Sequence, residues 1–286
     1  MRSFGGYLAH RKMQQNREQM VKAAFNLKPV ISYPNGLPLY FLTGEKYLYQ
    51  TLFCITSLVS HSKERFNFIL IDDGSFNNLL VQKINKLLPG ATVHLNTDTE
   101  TNLKKILPIN RFKNLWNKRS VYPHIRKLTD IHTLPGPKWK LVLDSDMLFW
   151  DEPKMLINWL KNPVGATHMI DCEESYGYTP FLMQELAGAT IPKLLNVGVL
   201  GIKSAIIDWN KIEHWIGQLE EKEGKTYFLE QALSAMIVAN ENCTVLDAAE
   251  YVVNPNETHW QVANCLHHYV STSKKEYFNL AWKKFI

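Results

Sequence analysis

Two aspartates separated by one residue interrupt an apolar run near the middle of the chain. Residues 141–143 are apolar, Asp144, Ser145 and Asp146 follow, and residues 147–150 are apolar again. Short apolar runs bounded by turn-forming residues are typical of buried strands, and two bare like charges at a buried strand end are unfavourable. A divalent cation removes that conflict, because hard cations prefer carboxylate oxygens. The pattern therefore predicts a metal site, which could also hold a phosphate, or else a strand ending in an Asp-Ser turn at the surface.

The sequence around this acidic pair alternates predicted strands and helices. Strands are predicted at 39–42, 66–71 and 91–95 and in the apolar runs before and after the acidic pair, 141–143 and 147–150, and helices at 47–60, 77–88 and 119–132. Such alternation is typical of an α/β fold in which helices cover a mostly parallel sheet. In these sheets ligands bind beyond the carboxyl ends of the strands. Three groups of residues follow predicted strand ends and are expected to converge: Thr43 with Gly44, Asp72 with Asp73, and Asp144 with Asp146.

Beyond residue 153 the pattern is less regular. Strands are predicted at 164–170, 196–202, 244–246 and 251–253, helices at 206–221 and 228–239, and a long loop at 171–190. We expect residues 31–286 to fold as a single domain, because nothing in this part of the chain requires a second one. Residues 1–30 are expected to form a basic helical appendage with a weak amphipathic pattern. We expect this segment to dock on the domain by default. A role in joining subunits and a position on a membrane surface stay open as alternatives.

Composition narrows the class of protein. The chain has 286 residues, 45% of them hydrophobic, which is enough for a substantial core. No apolar stretch reaches the length that spans a bilayer, and the first residues do not resemble an apolar signal segment. The four cysteines are scattered, as in proteins that keep their thiols reduced. We therefore expect a cytoplasmic protein.

The net charge of +5 is unevenly distributed. Basic residues are concentrated at 1–28, 101–129 and 274–286. Clustered positive charge attracts anions, which suggests an anionic acceptor or a membrane surface, with solvated faces as the plain alternative. Aromatic residues are not interleaved with this charge as in a stacking platform, so no nucleic-acid partner is expected. The aromatic, basic residues 282–285 are compatible with peripheral membrane contact.

The acidic pair resembles a known motif. Asp144, Ser145 and Asp146 resemble the DxD motif of glycosyltransferases with the GT-A fold, a Rossmann-like α/β fold. In those enzymes the motif holds a manganese or magnesium ion on the diphosphate of a nucleotide sugar. The resemblance therefore implies that Asp144 and Asp146 bind Mn²⁺ or Mg²⁺ and that Ser145 lies beside the nucleotide sugar.

A second match lies more than 120 residues downstream. His268 and Lys274 resemble the HxxGxxK pattern of glycosyltransferase family 8, with Ser271 in the position of the glycine. In that family the histidine is the third protein ligand of the metal, and the lysine contacts the diphosphate. Two carboxylates and one imidazole suit Mn²⁺ or Mg²⁺ better than a tetrahedral zinc site. His267 stays open as the alternative ligand.

Other segments resemble the nucleotide-binding parts of these enzymes. Residues 72–75, Asp-Asp-Gly-Ser, are similar to a segment of family 2 glycosyltransferases in which an aspartate contacts the base. The resemblance implies that Asp72 or Asp73 lies near the base. Tyr47 stands where family 8 often has an aromatic residue beside the base. Arg126 is expected to face the nucleotide, with Lys127 as the alternative.

Two further segments resemble the family's sugar-binding parts. Asn196 and Gly198 are similar to the Asn-x-Gly strand that touches the transferred sugar. Glu230 and Gln231 match a segment that lines the reaction centre, which implies that Gln231 lies near the anomeric carbon. Retention of configuration is favoured, because it needs no dedicated base. Inversion needs a carboxylate base, for which Glu230 would be the first candidate.

These landmarks predict a metal-dependent glycosyltransferase that moves a sugar from a UDP-sugar to a glycan, a glycolipid or another anionic acceptor. Two other classes stay open. A phosphatase or phosphotransferase of the haloacid dehalogenase type also has DxD at a strand end, although Met147 and Leu148 depart from its continuation. A non-catalytic nucleotide-sugar-binding protein would carry the same binding residues. The sugar, the acceptor and the oligomeric state cannot be read from these patterns.

Overall fold

The computed structural model describes residues 5–262 and 264–286 as one α/β domain. Its strands are β1 Leu37–Thr43, β2 Phe66–Asp72, β3 Thr92–His94, β4 Trp139–Leu143, β5 Met147–Phe149, β6 Ala166–Ile170, β7 Leu195–Lys203, β8 Cys243–Val245, β9 Tyr251–Val253 and β10 Leu266–His268. Its helices are α1 Tyr7–Ala24, α2 Leu48–Ser60, α3 Asn78–Leu87, α4 Asn96–Ile106, α5 Lys113–Val121, α6 Arg126–His132, α7 Lys154–Lys161, α8 Pro180–Ala187, α9 Trp209–Glu223, α10 Leu229–Val238 and α11 Lys274–Asn279.

The strands form two sheets. The larger has seven strands in the order β3-β2-β1-β4-β7-β6-β8, and the smaller has the order β5-β10-β9. In the larger sheet β7 runs antiparallel to both β4 and β6, and the other neighbouring pairs are parallel. The predicted mostly parallel mixed sheet flanked by helices is therefore confirmed.

Both faces of the central strands are covered. Alternate residues of a strand point to opposite faces, and in β1 Leu39 and Phe41 join one apolar cluster while Tyr40 joins another. All three side chains are buried. The continuous apolar character of these strands follows, because a strand between two helical layers has no face in water.

The apolar runs on either side of the acidic pair are two strands that lie in different sheets. The chain leaves the larger sheet at Leu143, turns at residues 144–146, and enters the smaller sheet at Met147 as β5. Strand β5 pairs with β10 in antiparallel register, with Met147 opposite His268. The acidic turn is thus the point where the chain crosses from one sheet to the other.

Two element predictions were wrong in detail. The predicted loop at 171–190 contains α8, which begins after the Thr179 N-cap with Pro180 in its first turn and ends at Gly188 with φ +67°. These are ordinary helix start and stop signals. The predicted helix at 119–132 is broken after Val121, because Pro123 follows and the residue before a proline avoids helical geometry.

Helix α1 packs against α2 and α11. This contact agrees with the expectation that the N-terminal segment docks on the domain. Met13, Met20 and Ala24 are buried in the main apolar cluster, and Asn16 Nδ2 donates to Asn279 Oδ1 at 2.8 Å. Residues 1–4 of the predicted appendage lie outside the described residues.

Trp282, near the other end of the chain, is also packed inside. Its side chain is only 2% exposed and meets Phe53 edge to face. It therefore offers no aromatic anchor at the surface. Among the described residues, no helix combines the length and apolar character needed to cross a membrane.

Candidate functional site

Asp144, Asp146 and His268 meet where the two sheets adjoin. His268 Nε2 lies 3.3 Å from Asp146 Oδ1 and 3.7 Å from Asp144 Oδ2. One ligand atom from each residue lies within 4.8 Å of the others. His267 points to the opposite side of β10, where its ring nitrogens lie 3.2–3.3 Å from Asn264 Oδ1 and the Tyr269 hydroxyl. Of the two histidines, His268 is the one that joins the aspartates.

The Asn196 side chain fixes the orientation of the His268 ring. Asn196 Oδ1 accepts from the Gly198 amide at 2.9 Å, and its Nδ2 donates to Asp171 Oδ2 at 3.0 Å, which defines the amide orientation. The same Oδ1 lies 3.1 Å from His268 Nδ1. Because an amide oxygen only accepts, Nδ1 carries a proton, and Nε2 is the ring nitrogen that faces the two carboxylates and that would bind a metal in the neutral imidazole.

This donor set fits a hard divalent cation. Two carboxylates and a neutral imidazole nitrogen converge from one side, and Asp144 and Asp146 keep partial solvent exposure on the other. Mn²⁺ and Mg²⁺ take oxygen-rich shells completed by water or phosphate oxygens, and Mn²⁺ also accepts imidazole. A histidine held through its other nitrogen by a polar group is usual among metal ligands.

A lysine accompanies each aspartate. Lys274 forms an ion pair with Asp146, and Lys127 Nζ lies 2.6 Å from Asp144 Oδ1. Burial acts to raise the pKa of Asp146, but Lys274 and His268 outweigh it and hold that pKa well below its usual value. Burial likewise acts to lower the pKa of Lys127, but Asp144 and Glu230 more than reverse the effect. Lys127 therefore stays charged beside the cluster.

Glu230 is the most unusual carboxyl group of the site. It is 3% exposed, its Oε2 lies 3.6 Å from Lys127 Nζ, and its Oε1 is buried without a hydrogen-bond partner among the described residues. Burial raises the pKa of Glu230 to about 7, against the pull of Lys127, and the charge of Asp144 adds to the rise. A buried carboxyl group with a free oxygen can bind a ligand hydroxyl or exchange a proton near neutral pH.

Asp171, which sequence reasoning missed, ties the sugar-binding candidates together. It follows β6, and its carboxylate accepts from Asn196 Nδ2 at 3.0 Å, Gln231 Nε2 at 2.9 Å and the Cys172 amide at 2.8 Å. The rule that selected the other aspartates, an acid just after a buried strand, would have selected this one too.

These residues line a cleft of about 750 Å³. The cleft includes eleven of the residues proposed from the sequence: Thr43, Tyr47, Asp73, Asp144, Ser145, Asp146, Asn196, Glu230, Gln231, His268 and Lys274. Thr43 and Ser145 lie on opposite sides of the Thr51 hydroxyl, 2.8 Å from each. The convergence expected beyond the strand ends is therefore present.

Four proposed residues lie behind the cleft wall. The Asp72 carboxylate accepts from the amides of Gly74, Phe76 and Asn96 and so shapes the turn after β2. Arg126 donates to the Asp73 carbonyl oxygen at 2.6 Å, while its neighbour Lys127 reaches the cleft. The other two are glycines that leave room for a ring or carboxylate: a Cβ at Gly44 would overlap Asp73, and one at Gly198 would overlap His268.

Sequence reasoning also missed four aromatic side chains that line one end of the cleft. Tyr122 and His124 come from the turn between α5 and α6, and Tyr227 and Phe228 come just before α10. Consecutive ring centroids lie 5.1–6.5 Å apart. We call these four residues the aromatic shelf. Aromatic residues in separate turns carry no periodic signal, which is why the sequence pattern did not reveal the cluster.

The basic segment 101–129 forms internal ion pairs. Lys118 pairs with Glu220, Arg119 with Asp130, Lys104 with Glu100 and Lys127 with Asp144. Lys118 and Arg119 are buried. Three of the eight basic residues of the segment, Lys118, Arg119 and Lys127, are therefore buried in internal ion pairs and are not directed at an external anion.

The fold resembles that of solved glycosyltransferases. No family model and no curated protein sequence matches the chain. The structure of mouse xyloside xylosyltransferase 1 is similar over 84% of this chain and 98% of its own, with a TM-score of 0.53 and 13% identity. The galactosyltransferase LgtC, crystallised with donor and acceptor sugar analogues, is similar over 87% of this chain and 93% of its own, with a TM-score of 0.53 and 15% identity. The chain therefore has the fold of GT-A glycosyltransferases.

Proposed function

We propose that this protein is a metal-dependent glycosyltransferase that transfers a hexose or related sugar from a UDP-sugar to a hydroxyl group of a glycan or glycolipid. The observation that carries the proposal is the cluster of Asp144, Asp146 and His268 with Lys274 beside it, at the base of a cleft large enough for a nucleotide sugar. The UDP part of the proposal rests on the resemblance of the sequence motifs.

Each part of the cleft has a role in this proposal. In the reaction the bond from the anomeric carbon to the diphosphate oxygen breaks, and an acceptor hydroxyl oxygen bonds to that carbon and gives up its proton. Asp144, Asp146 and His268 would hold Mn²⁺ or Mg²⁺, which neutralises charge on the departing diphosphate. Lys274 adds a second positive charge at the same group. Tyr47 and Asp73 also line the cleft and would contact the base in this proposal.

Retention of configuration is the stereochemistry that we propose. Gln231 is an uncharged amide anchored to Asp171, and it can lie beneath the sugar without any proton transfer. Asp171 accepts three hydrogen bonds and is therefore not a free carboxylate base, whereas Glu230, with one free oxygen, is the group that would serve as the base if the reaction inverted the configuration. An inverting enzyme would need such a base.

Calorimetric titration with UDP tests the proposal. UDP should bind in Mn²⁺ and fail to bind in EDTA or in the Asp146→Ala variant, whereas Asp98→Ala, an exposed acid on α4, should bind normally. A panel of UDP-sugars should then show Mn²⁺-dependent hydrolysis, and NMR of the first-formed sugar would give its anomeric configuration. The absence of UDP binding under every metal condition would reject the proposal.

A further inference from the structure

We propose that the aromatic shelf is the acceptor subsite and that the acceptor is an uncharged pyranoside. This inference rests on the proposed function and adds to it the place and the chemical class of the acceptor. It differs from the expectation of an anionic acceptor that the basic segment suggested.

The geometry of the shelf suits a sugar ring. Tyr227 and Phe228 pack against each other, yet Tyr227 is 67% exposed and Phe228 is 39% exposed. Because both residues line the cleft, the exposed surfaces of their rings face it. Aromatic faces carry partial negative charge and attract the weakly positive C–H groups on one face of a pyranose. Polar groups around such a surface orient the ligand through its hydroxyls.

The shelf is attached to the reaction centre. The Tyr122 hydroxyl accepts from the Glu230 amide at 3.3 Å, and Phe228 lies two residues before Glu230. Tyr227 and Phe228 line the same cleft as Asp144 and Asp146. A sugar on the shelf would therefore have a hydroxyl within reach of the free Glu230 oxygen.

Charge decides between neutral and anionic acceptors. The cleft is lined by two lysines and by six carboxyl groups, namely Asp73, Asp144, Asp146, Asp171, Glu173 and Glu230. One divalent cation does not balance this excess, and the donor diphosphate adds negative charge. Both lysines are already paired with Asp144 and Asp146. A carboxylate or phosphate on the acceptor would enter a negative field, whereas a neutral sugar would not.

The experiment measures sugar binding and UDP binding separately. Saturation-transfer NMR in the presence of UDP and diamagnetic Mg²⁺ would compare methyl glycosides of neutral hexoses and pentoses with methyl glucuronide and glucose 6-phosphate. Neutral glycosides should bind and the two anions should not. The variant Tyr227→Leu/Phe228→Leu should weaken neutral glycoside binding about tenfold and leave the Kd for UDP within about twofold.

Matched variants separate the ring surface from other effects. Tyr227→Phe keeps the aromatic face and should retain sugar binding. Tyr7→Ala removes an equally exposed tyrosine, 65% exposed on α1, and should change nothing. Circular dichroism and thermal unfolding would show that each variant is folded.

Three outcomes would overturn the inference and spare the proposed function. The first is that the anions bind better than the neutral glycosides. The second is that UDP binds but no neutral glycoside does. The third is that the leucine variant weakens UDP binding as strongly as it weakens sugar binding. The last result would make the shelf part of the nucleotide site. If UDP itself fails to bind in any metal, the proposed function falls first.

Discussion

Gly198 lies directly against the imidazole ring of His268, so close that a Cβ on Gly198 would overlap ring atoms Cε1 and Nδ1. The two residues belong to different sheets, since Gly198 is in β7 and His268 in β10. The absence of a side chain at residue 198 is therefore what allows the third proposed metal ligand to reach the aspartates.

Gly198→Ala should displace the His268 ring and weaken Mn²⁺ binding at least tenfold, because the histidine loses both its position and its contact with Asn196. Titration followed by electron paramagnetic resonance of free Mn²⁺ would measure the change. Gly217→Ala on α9 is the control, since the nearest obstacle there is the end of the Asn114 side chain. Unchanged Mn²⁺ affinity in Gly198→Ala would remove His268 from the metal shell.

Lys274→Met should affect bare metal and nucleotide binding in opposite directions. The lysine pairs with Asp146, so its removal frees that carboxylate and should leave Mn²⁺ binding equal or tighter. The same change removes a charge proposed to contact the diphosphate, and UDP in saturating Mn²⁺ should bind about tenfold more weakly, in line with the loss of one charge-assisted contact. Calorimetry with Mn²⁺ alone and then with UDP separates the two effects. A parallel loss of both would assign Lys274 a purely structural role.

Glu230→Gln should flatten the dependence of stability on pH. The pKa of Glu230 is raised by burial from 4.5 to about 7, so between these values the folded protein binds more protons than the unfolded chain. The free energy of unfolding should therefore fall as the pH rises from 4.5 to 7, by about 3 kcal/mol from this group. Urea unfolding of both proteins across this range measures the difference. The exposed Glu18→Gln on α1 should keep the wild-type profile.

Ser271→Gly should stabilise the protein by about 1 kcal/mol, because Ser271 has φ +45°, a conformation unfavourable for residues with a Cβ. Ser271 occupies the glycine position of the HxxGxxK pattern and lines the cleft. Ser273→Gly is a matched control that should lower stability, since Ser273 has φ −67° and its hydroxyl donates to the Val270 carbonyl at 2.7 Å. Urea denaturation gives both values. A destabilised Ser271→Gly would contradict the strain argument.

The sequence predicted the sheet and the acidic base of the cleft because both depend on local patterns. Apolar runs followed by polar or turn-forming residues marked the ends of β1, β2 and β4, and the spacing of His268 and Lys274 supported the third ligand. The same local reasoning could not choose between Arg126 and Lys127, since adjacent helix residues differ by about 100° in direction and only packing settles which one faces inward.

Contacts between distant segments were beyond this reasoning. Asp171 stands alone after β6, and its importance lies in its hydrogen bonds to Asn196 and Gln231. The aromatic shelf joins residues more than 100 positions apart. The apolar runs before and after the acidic pair indicated buried strands, but such a run does not show in which sheet a strand lies, so the placement of β4 and β5 in different sheets was not predicted.

The crossing of the chain between the two sheets has a mechanical consequence. Asp144 directly follows the last residue of β4 in the larger sheet, Asp146 directly precedes the first residue of β5 in the smaller one, and His268 belongs to β10 of the smaller sheet. A cation bound by all three would act as a cross-link that fastens one sheet to the other. Chelation should therefore loosen the small sheet selectively, which hydrogen–deuterium exchange would show as faster exchange in β9 and β10 than in β1 and β2.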